Sequence, residues 1–193
     1  MTGNVKFTVY GIRFTKRLLI CIGLLFTFHL SPFTLNAQVK WHTIEEASQA
    51  KIGDKMYFVD FYTSWCGYCK KMDRETFTDA TVAKIMNKYF YPVKFNAESS
   101  NTFSWFGTTY SPAKAGRSRV HDFARGVSGY PTFVLYRSDG TLFQAIPGYY
   151  PAKDFIVVLW YFASGDYKRY AYENYRRIFD TDIRPTMEKS LKD

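Results

Sequence analysis

The chain has 193 residues, 47% of them hydrophobic and 22% charged, enough for one packed domain and too apolar for wholesale disorder. Its three cysteines exclude a disulfide-stapled scaffold. The formal charge of +9 falls to +5 without the four basic residues that precede position 38, and no Lys/Arg run exceeds two, so nothing argues for nucleic acid.

Lys16-Arg17 leads into LLICIGLLFTFHL (18–30). A positive start followed by a short apolar run is the pattern of an export signal. A membrane span needs about 20 apolar residues, so a retained anchor is the alternative. Pro32 interrupts the stretch and Ala37-Gln38 offers a cleavage point, with Leu35 bulkier than the usual small residue. Cys21 belongs to the apolar run. The mature chain, 38–193, then keeps two cysteines in a compartment where disulfides persist, here the periplasm.

Thr43-Ile-Glu-Glu46 has capping-box spacing and predicts a short helix to about Lys51, ended by Gly53-Asp54. Met56–Tyr62 reads as a buried strand with Asp60 inside it. A helix is expected over Tyr68–Thr76, its first turn beginning near Cys66. Thr78 or Asp79 caps a second helix in which Val82, Ile85, Met86 and Tyr89 share a face. Pro92–Phe95 is the next strand, and the β-α-β order implies a parallel pair. Thr102–Phe106 and Thr108–Tyr110 flank Gly107 as a small hairpin, and Ser111–Ser118 is loop material. Arg119–Arg125 predicts a short helix. Thr132–Tyr136 and Thr141–Ile146 form a hairpin around Arg137–Gly140. Pro151 opens a helix to about Phe162. After Ser164-Gly165-Asp166 a further helix carries Tyr167, Tyr170, Ala171, Tyr175, Ile178 and Phe179 on one face, ends at Pro185 and leaves a frayed tail.

The motif that carries chemistry is Trp65-Cys66-Gly67-Tyr68-Cys69-Lys70. Two cysteines two residues apart can close a small disulfide. At the start of a helix, unpaired backbone N–H groups favour the Cys66 thiolate. Cys66 is then the exposed attacking thiol, and Cys69, one turn deeper, resolves the mixed disulfide. The same pair can also be half of a zinc site, a structural disulfide, or a remnant in a redox-inactive binding domain. Zinc needs about four ligands, and the mature chain adds only His42 and His121 besides carboxylates.

Over residues 41–162 the sequence resembles the thioredoxin superfamily. VDFYTSWCGYCKKM (59–72) is similar to its strand and active-site helix, and Val127-Ser-Gly-Tyr-Pro-Thr132 to the loop that bears its cis-proline. ETFTDATVAKIMNKYFYPVKFN (75–96) is closer to one branch, the exported thioredoxin-like domains related to the C-terminal domain of the transmembrane reductant conductor. The resemblance implies an α/β thioredoxin-like fold, a central mixed sheet flanked by helices. It implies Pro131 in cis facing the Cys66–Cys69 pair, with Tyr130 backbone groups open to an extended substrate. It makes Asp60 the buried carboxylate that takes a proton from Cys69, and Lys94 the lysine that neutralises it. Trp65, Gly67, Tyr68 and Gly148 complete the substrate surface.

Three features depart from the family pattern. Tyr68 replaces the proline of the cytosolic active site, which makes the pair less reducing and resembles the exported isomerase. An insertion over roughly 99–118, carrying Phe103, Trp105, Phe106 and Tyr110, precedes the cis-proline; it is either a substrate surface or a decoration that buries its own aromatics. An extra helix, 166–180, lies in a C-terminal extension over 164–193. The expected organisation is a signal peptide (1–37), a thioredoxin-like domain (38–163) and that extension. The expected function is reduction of disulfides in exported proteins, without a cofactor or bound metal, by a monomer recharged by a membrane electron donor. The alternatives are an oxidase or isomerase of exported proteins and a non-catalytic binding module.

Overall fold

A computed structural model of the chain describes residues 38–112 and 120–192. The export signal, with Cys21 and the Ala37-Gln38 cleavage point, and most of the 111–118 loop lie outside the described residues. Helix α1 (Ile44–Gln49) starts at the predicted capping box. The Thr43 hydroxyl accepts the Glu46 N–H at 3.1 Å, and the Glu46 carboxylate accepts the Thr43 N–H at 2.8 Å.

Strand β1 (Met56–Tyr62) leads into α2 (Gly67–Lys71), which widens into one π turn over Met72–Thr76. Helix α3 (Ala80–Tyr89) is capped by Asp79, whose carboxylate accepts the N–H groups of Thr81 and Val82. Strand β2 (Phe90–Asn96) follows directly. It starts two residues before the predicted Pro92, which is tolerated because β2 forms one edge of the sheet. The hairpin β3 (Phe103–Trp105) and β4 (Thr108–Tyr110) turns through Phe106-Gly107, both at positive φ, the backbone of a tight two-residue hairpin turn. Only one 3₁₀ turn, Asp122–Ala124, stands where Arg119–Arg125 predicted a helix. Strands β5 (Thr132–Tyr136) and β6 (Leu142–Pro147) and helix α4 (Ala152–Ala163) complete the body.

The four-stranded sheet has the order β2-β1-β5-β6, with β1/β2 parallel and the other pairs antiparallel. Alternation along β1 divides the interior into two cores. Phe58 meets Phe77, Phe133 and Phe155 under α3 and α4. On the opposite face Tyr57, Val59 and Phe61 pack with Val93, Phe95 and the insertion. Phe103 and Trp105 of the hairpin are buried there against Phe123, and the Trp105 indole N–H donates to the Gly140 carbonyl at 3.1 Å. The insertion therefore buries two of its aromatics in the core on this face of the sheet.

The C-terminal extension differs from the sequence reading. A 3₁₀ turn (Asp166–Lys168) leads to α5 (Tyr172–Ile178), a π turn (Phe179–Ile183) and α6 (Arg184–Ser190). Pro185 does not end the helical segment. It stands in the first turn of α6, where its missing N–H costs no hydrogen bond. The tail is anchored because Met187, Tyr175 and Phe179 are buried in the α3/α4 core. Truncating Met187 to Ala is expected to cost about 2–5 kcal/mol, read as a lower urea midpoint. An unchanged midpoint means the tail is dispensable. No helix among the described residues is long and apolar enough to cross a membrane.

Candidate active site

The site assembles where β1 gives way to α2. Cys66 is the N-cap of α2, and its sulfur accepts the Cys69 N–H at 3.1 Å. The two cysteines are joined by a disulfide, with Cα atoms 5.3 Å apart. Both are 4% exposed. The sequence suggests an exposed Cys66, but bonding to Cys69 draws it against the first turn of the helix. What projects outward instead is Trp65, 66% exposed, and Tyr68, 62% exposed.

The Tyr130–Pro131 peptide bond is cis. Its loop reaches the cysteine motif through the Tyr130 ring, which meets the Trp65 indole edge-on at 6.1 Å. The Trp65 N–H donates to the Glu98 carboxylate at 3.2 Å. Burial, and then the Glu98 charge, raise the Tyr130 phenol pKa above its ordinary value. Gly148, at positive φ, donates its N–H to the Pro131 carbonyl at 2.9 Å, so the loop after β6 braces the cis-proline. Tyr149, next in sequence, lies against Tyr68 at 5.9 Å and donates to Glu75 at 3.1 Å. Gly67 opens α2 with nothing within 4 Å of where a Cβ would sit.

In β1, the strand that leads into the motif, Asp60 is 2% exposed, and its Oδ1 has no hydrogen-bond partner among the described residues. Parallel pairing sets Asp60 beside Lys94 in register. The Lys94 ammonium stands 3.7 Å from Asp60 Oδ2, yet its close contact is with Asp73 Oδ1. Burial raises the Asp60 carboxyl to about pKa 7; Lys94 opposes the rise and Asp73 adds to it. Lys94 is thus a cation shared between Asp60 and Asp73. Asp73 was not among the sequence candidates. Its spacing from Cys66 and Cys69, at i, i+3 and i+7, places it on one helical face with them and was the signal available.

Of the ten sequence candidates, Asp60, Lys94, Cys66, Gly67, Tyr68 and Cys69 lie on β1, β2 and the start of α2, and Trp65 lies in the link between β1 and α2. Tyr130, Pro131 and Gly148 lie on the adjoining loops. Glu98, Tyr149 and Asp73 join them from outside that set. Among the described residues no group of three or more His, Cys, Asp or Glu is arranged to hold a metal ion. The Cys66–Cys69 pair supports thiol–disulfide chemistry: each sulfur is within bonding reach of the other, and the one at the helix start receives a backbone N–H.

A family model described as a thioredoxin-like domain matches residues 44–163. The chain is 29% identical over 96 residues to protein disulfide-isomerase TMX3 of Homo sapiens, covering 50% of this chain and 17% of that protein. It is 30% identical over 93 residues to protein disulfide isomerase-like 5-2 of Oryza sativa subsp. japonica, covering 48% and 18%. The chain therefore spans less than a fifth of the length of these relatives. A thioredoxin-fold protein from Helicobacter pylori superposes with a TM-score of 0.50 at 20% identity, over 76% of this chain and 91% of that one, a likeness of fold.

Proposed function

Because the chain belongs to the thioredoxin-like domain family, we propose that it is an exported thiol–disulfide oxidoreductase that reduces disulfides of periplasmic proteins. The observation that carries this reading is the closed Cys66–Cys69 disulfide at the head of α2, with its flanking Trp65 against the cis Tyr130–Pro131 loop.

In the reduced protein the Cys66 thiolate attacks one sulfur of a substrate disulfide. A Cys66–substrate bond forms and the other substrate sulfur leaves as a thiolate. Asp60 takes the proton of Cys69; a carboxyl titrating at about pH 7 is partly ionised and able to accept it at neutral pH. Cys69 then attacks the Cys66 sulfur and expels the second substrate thiolate, leaving the disulfide seen here. Trp65, Gly67, Tyr68 and Gly148 form the rim. The Tyr130 backbone groups, which bond to no described residue, pair with the extended substrate. Two electrons from the dithiol of a membrane electron donor reopen the pair for the next cycle. This place in an electron-supply route, like the kinship to the reductant-conductor branch, rests on the sequence resemblance.

Disulfide isomerisation is the second reading, favoured by the names of the curated relatives and by Tyr68 in place of proline. The potential of Cys66–Cys69, equilibrated against dithiothreitol or glutathione buffers, separates them. Reduction predicts a value near about −270 mV, whereas about −120 to −180 mV supports an oxidase or isomerase and overturns the reductase assignment.

A further inference from the structure

Among the described residues, strand β6 is an unpaired edge of the sheet. Its sequence, Leu142-Phe-Gln-Ala-Ile-Pro147, carries no charge. Native sheets usually blunt such edges with lysine, bulges or covering segments; here a bulge at Phe143 interrupts the start of the strand and the one proline stands at its very end, which leaves Gln144–Ile146 as regular edge. The hydrogen-bond phase of the edge follows from the pairing. Gly148 N–H bonds to Pro131 O, and the ladder runs Thr132↔Pro147, Phe133↔Ile146, Val134↔Ala145. Bonded and non-bonded pairs alternate in an antiparallel ladder, so Val134/Ala145 is a non-bonded pair and the Ala145 N–H and C=O face outward. In agreement, the Ala145 carbonyl accepts its neighbour's side chain, Gln144 Nε2, at 2.9 Å.

Beside this edge lies a cavity of about 420 Å³, walled by Phe143, Ile146, Tyr150, Tyr161, Tyr167 and Tyr172. That volume suits one or two large apolar side chains. Two of its walls, Tyr167 and Tyr172, come from the C-terminal extension. One short segment of chain links the cavity to the rim of the site: Tyr150 lines the cavity, the preceding Tyr149 lies against exposed Tyr68, and Gly148 bonds to Pro131. Gly148 and Ala145 are three residues apart along extended chain, about 10 Å.

We propose that the free edge of β6 and its aromatic cavity bind an extended, apolar-rich segment of the substrate polypeptide flanking the disulfide that Cys66 attacks. One substrate residue exchanges two backbone hydrogen bonds with Ala145, and a neighbouring apolar side chain enters the cavity. Strand addition supplies the affinity and the cavity the selectivity. The docking rests on the reductase reading for its purpose, but not for its test. It makes the preferred substrates polypeptides that are locally unfolded around their disulfide.

Ala145→Pro removes the outward N–H without touching a β5 bond, a change that edge strands tolerate. Tyr172→Ala opens the cavity wall. The full chain and both variants are compared on two disulfide-bonded peptides, one with Leu/Phe flanks and one with Ser/Gly flanks, and on the small disulfide 5,5′-dithiobis(2-nitrobenzoate). Both variants are expected to raise KM for the apolar peptide about tenfold, the loss of about 1.4 kcal/mol of binding; Ala145→Pro raises it for the Ser/Gly peptide as well, Tyr172→Ala leaves that peptide at the parental value, and the small disulfide reacts as with the parent in both. Parental KM for the apolar peptide in both variants overturns the proposal. A cysteine-free copy of the apolar peptide, followed by fluorescence anisotropy, reads docking without turnover. Binding that Ala145→Pro weakens about tenfold supports docking even if no disulfide is reduced, and in that case it is the reductase reading that fails. Sedimentation covers the remaining occupant: a dimer that Ala145→Pro dissolves, with peptide binding unchanged, assigns the edge to a second copy and overturns the proposal.

Discussion

A Cys66→Ser variant is expected to lose disulfide exchange down to the uncatalysed level, while Cys69→Ser accumulates mixed disulfides with its substrates. The asymmetry follows from the helix start. Cys66 is the N-cap, and its sulfur accepts the Cys69 N–H. That bond, together with the unpaired amides of the first turn, favours negative charge on Cys66 and not on Cys69. A serine hydroxyl at 66 stays protonated at neutral pH and cannot replace the thiolate. A serine at 69 leaves the attack intact and removes the second step, so the Cys66–substrate bond persists. The check is a non-reducing gel of Cys69→Ser with and without dithiothreitol. Dithiothreitol-sensitive adducts on Cys69→Ser and none on Cys66→Ser are expected. Adducts on both, or on neither, would sink the assignment of roles and favour a binding module with a stable disulfide.

The second large effect concerns Asp60. Its folded pKa of about 7 lies above the ordinary 3.8 because burial penalises the charged form. A raised acid pKa means that the fold binds the proton more tightly than the unfolded chain does. Its stability contribution is complete below about pH 4, declines as pH rises and is lost above about pH 7, a swing of about 4 kcal/mol for about three pKa units. Asparagine cannot ionise, so Asp60→Asn should gain stability over the parent as pH rises from about 5 to about 8. Denaturant midpoints of the oxidised proteins test this, and a difference that does not change with pH contradicts the buried, uncompensated carboxyl. In the reaction the same substitution should slow release of the mixed disulfide by about a hundredfold and leave the initial attack near the parental rate. The two measurements pull in opposite directions, more stable and less active, which a simple packing defect cannot do.

Much of this architecture was legible locally. The capping box, the β1 run, the Asp79 cap and the hairpin around Gly107 are set by neighbours in sequence, and each stands within a residue or two of its predicted place. The cysteine motif was legible for the same reason, since a strand running into a helix announces where its first turn will be. What escaped depended on long-range register. Asp73 meets Lys94 only because β2 lies parallel to β1 and brings Lys94 beside Asp60. The edge phase of Ala145 requires knowing which partner β6 has and which it lacks. Pro185 misleads locally because a proline after a periodic stretch has two meanings, end or restart. The buried Met187 decides between them, and its burial is a tertiary fact.

The π turn at Met72–Thr76 adds one meaning more. It holds one residue beyond what an α-helical path would take and so resets the angular phase of the segment that follows. Upstream, the phase is fixed by the disulfide; at the turn's last residue, by the Thr76 hydroxyl on the Tyr150 carbonyl at 2.7 Å, and beyond it by Phe77 in the core. The two halves answer to different masters, and the extra residue is a clutch between them. Asp73, standing inside this turn, is the residue that ties the helix to Lys94.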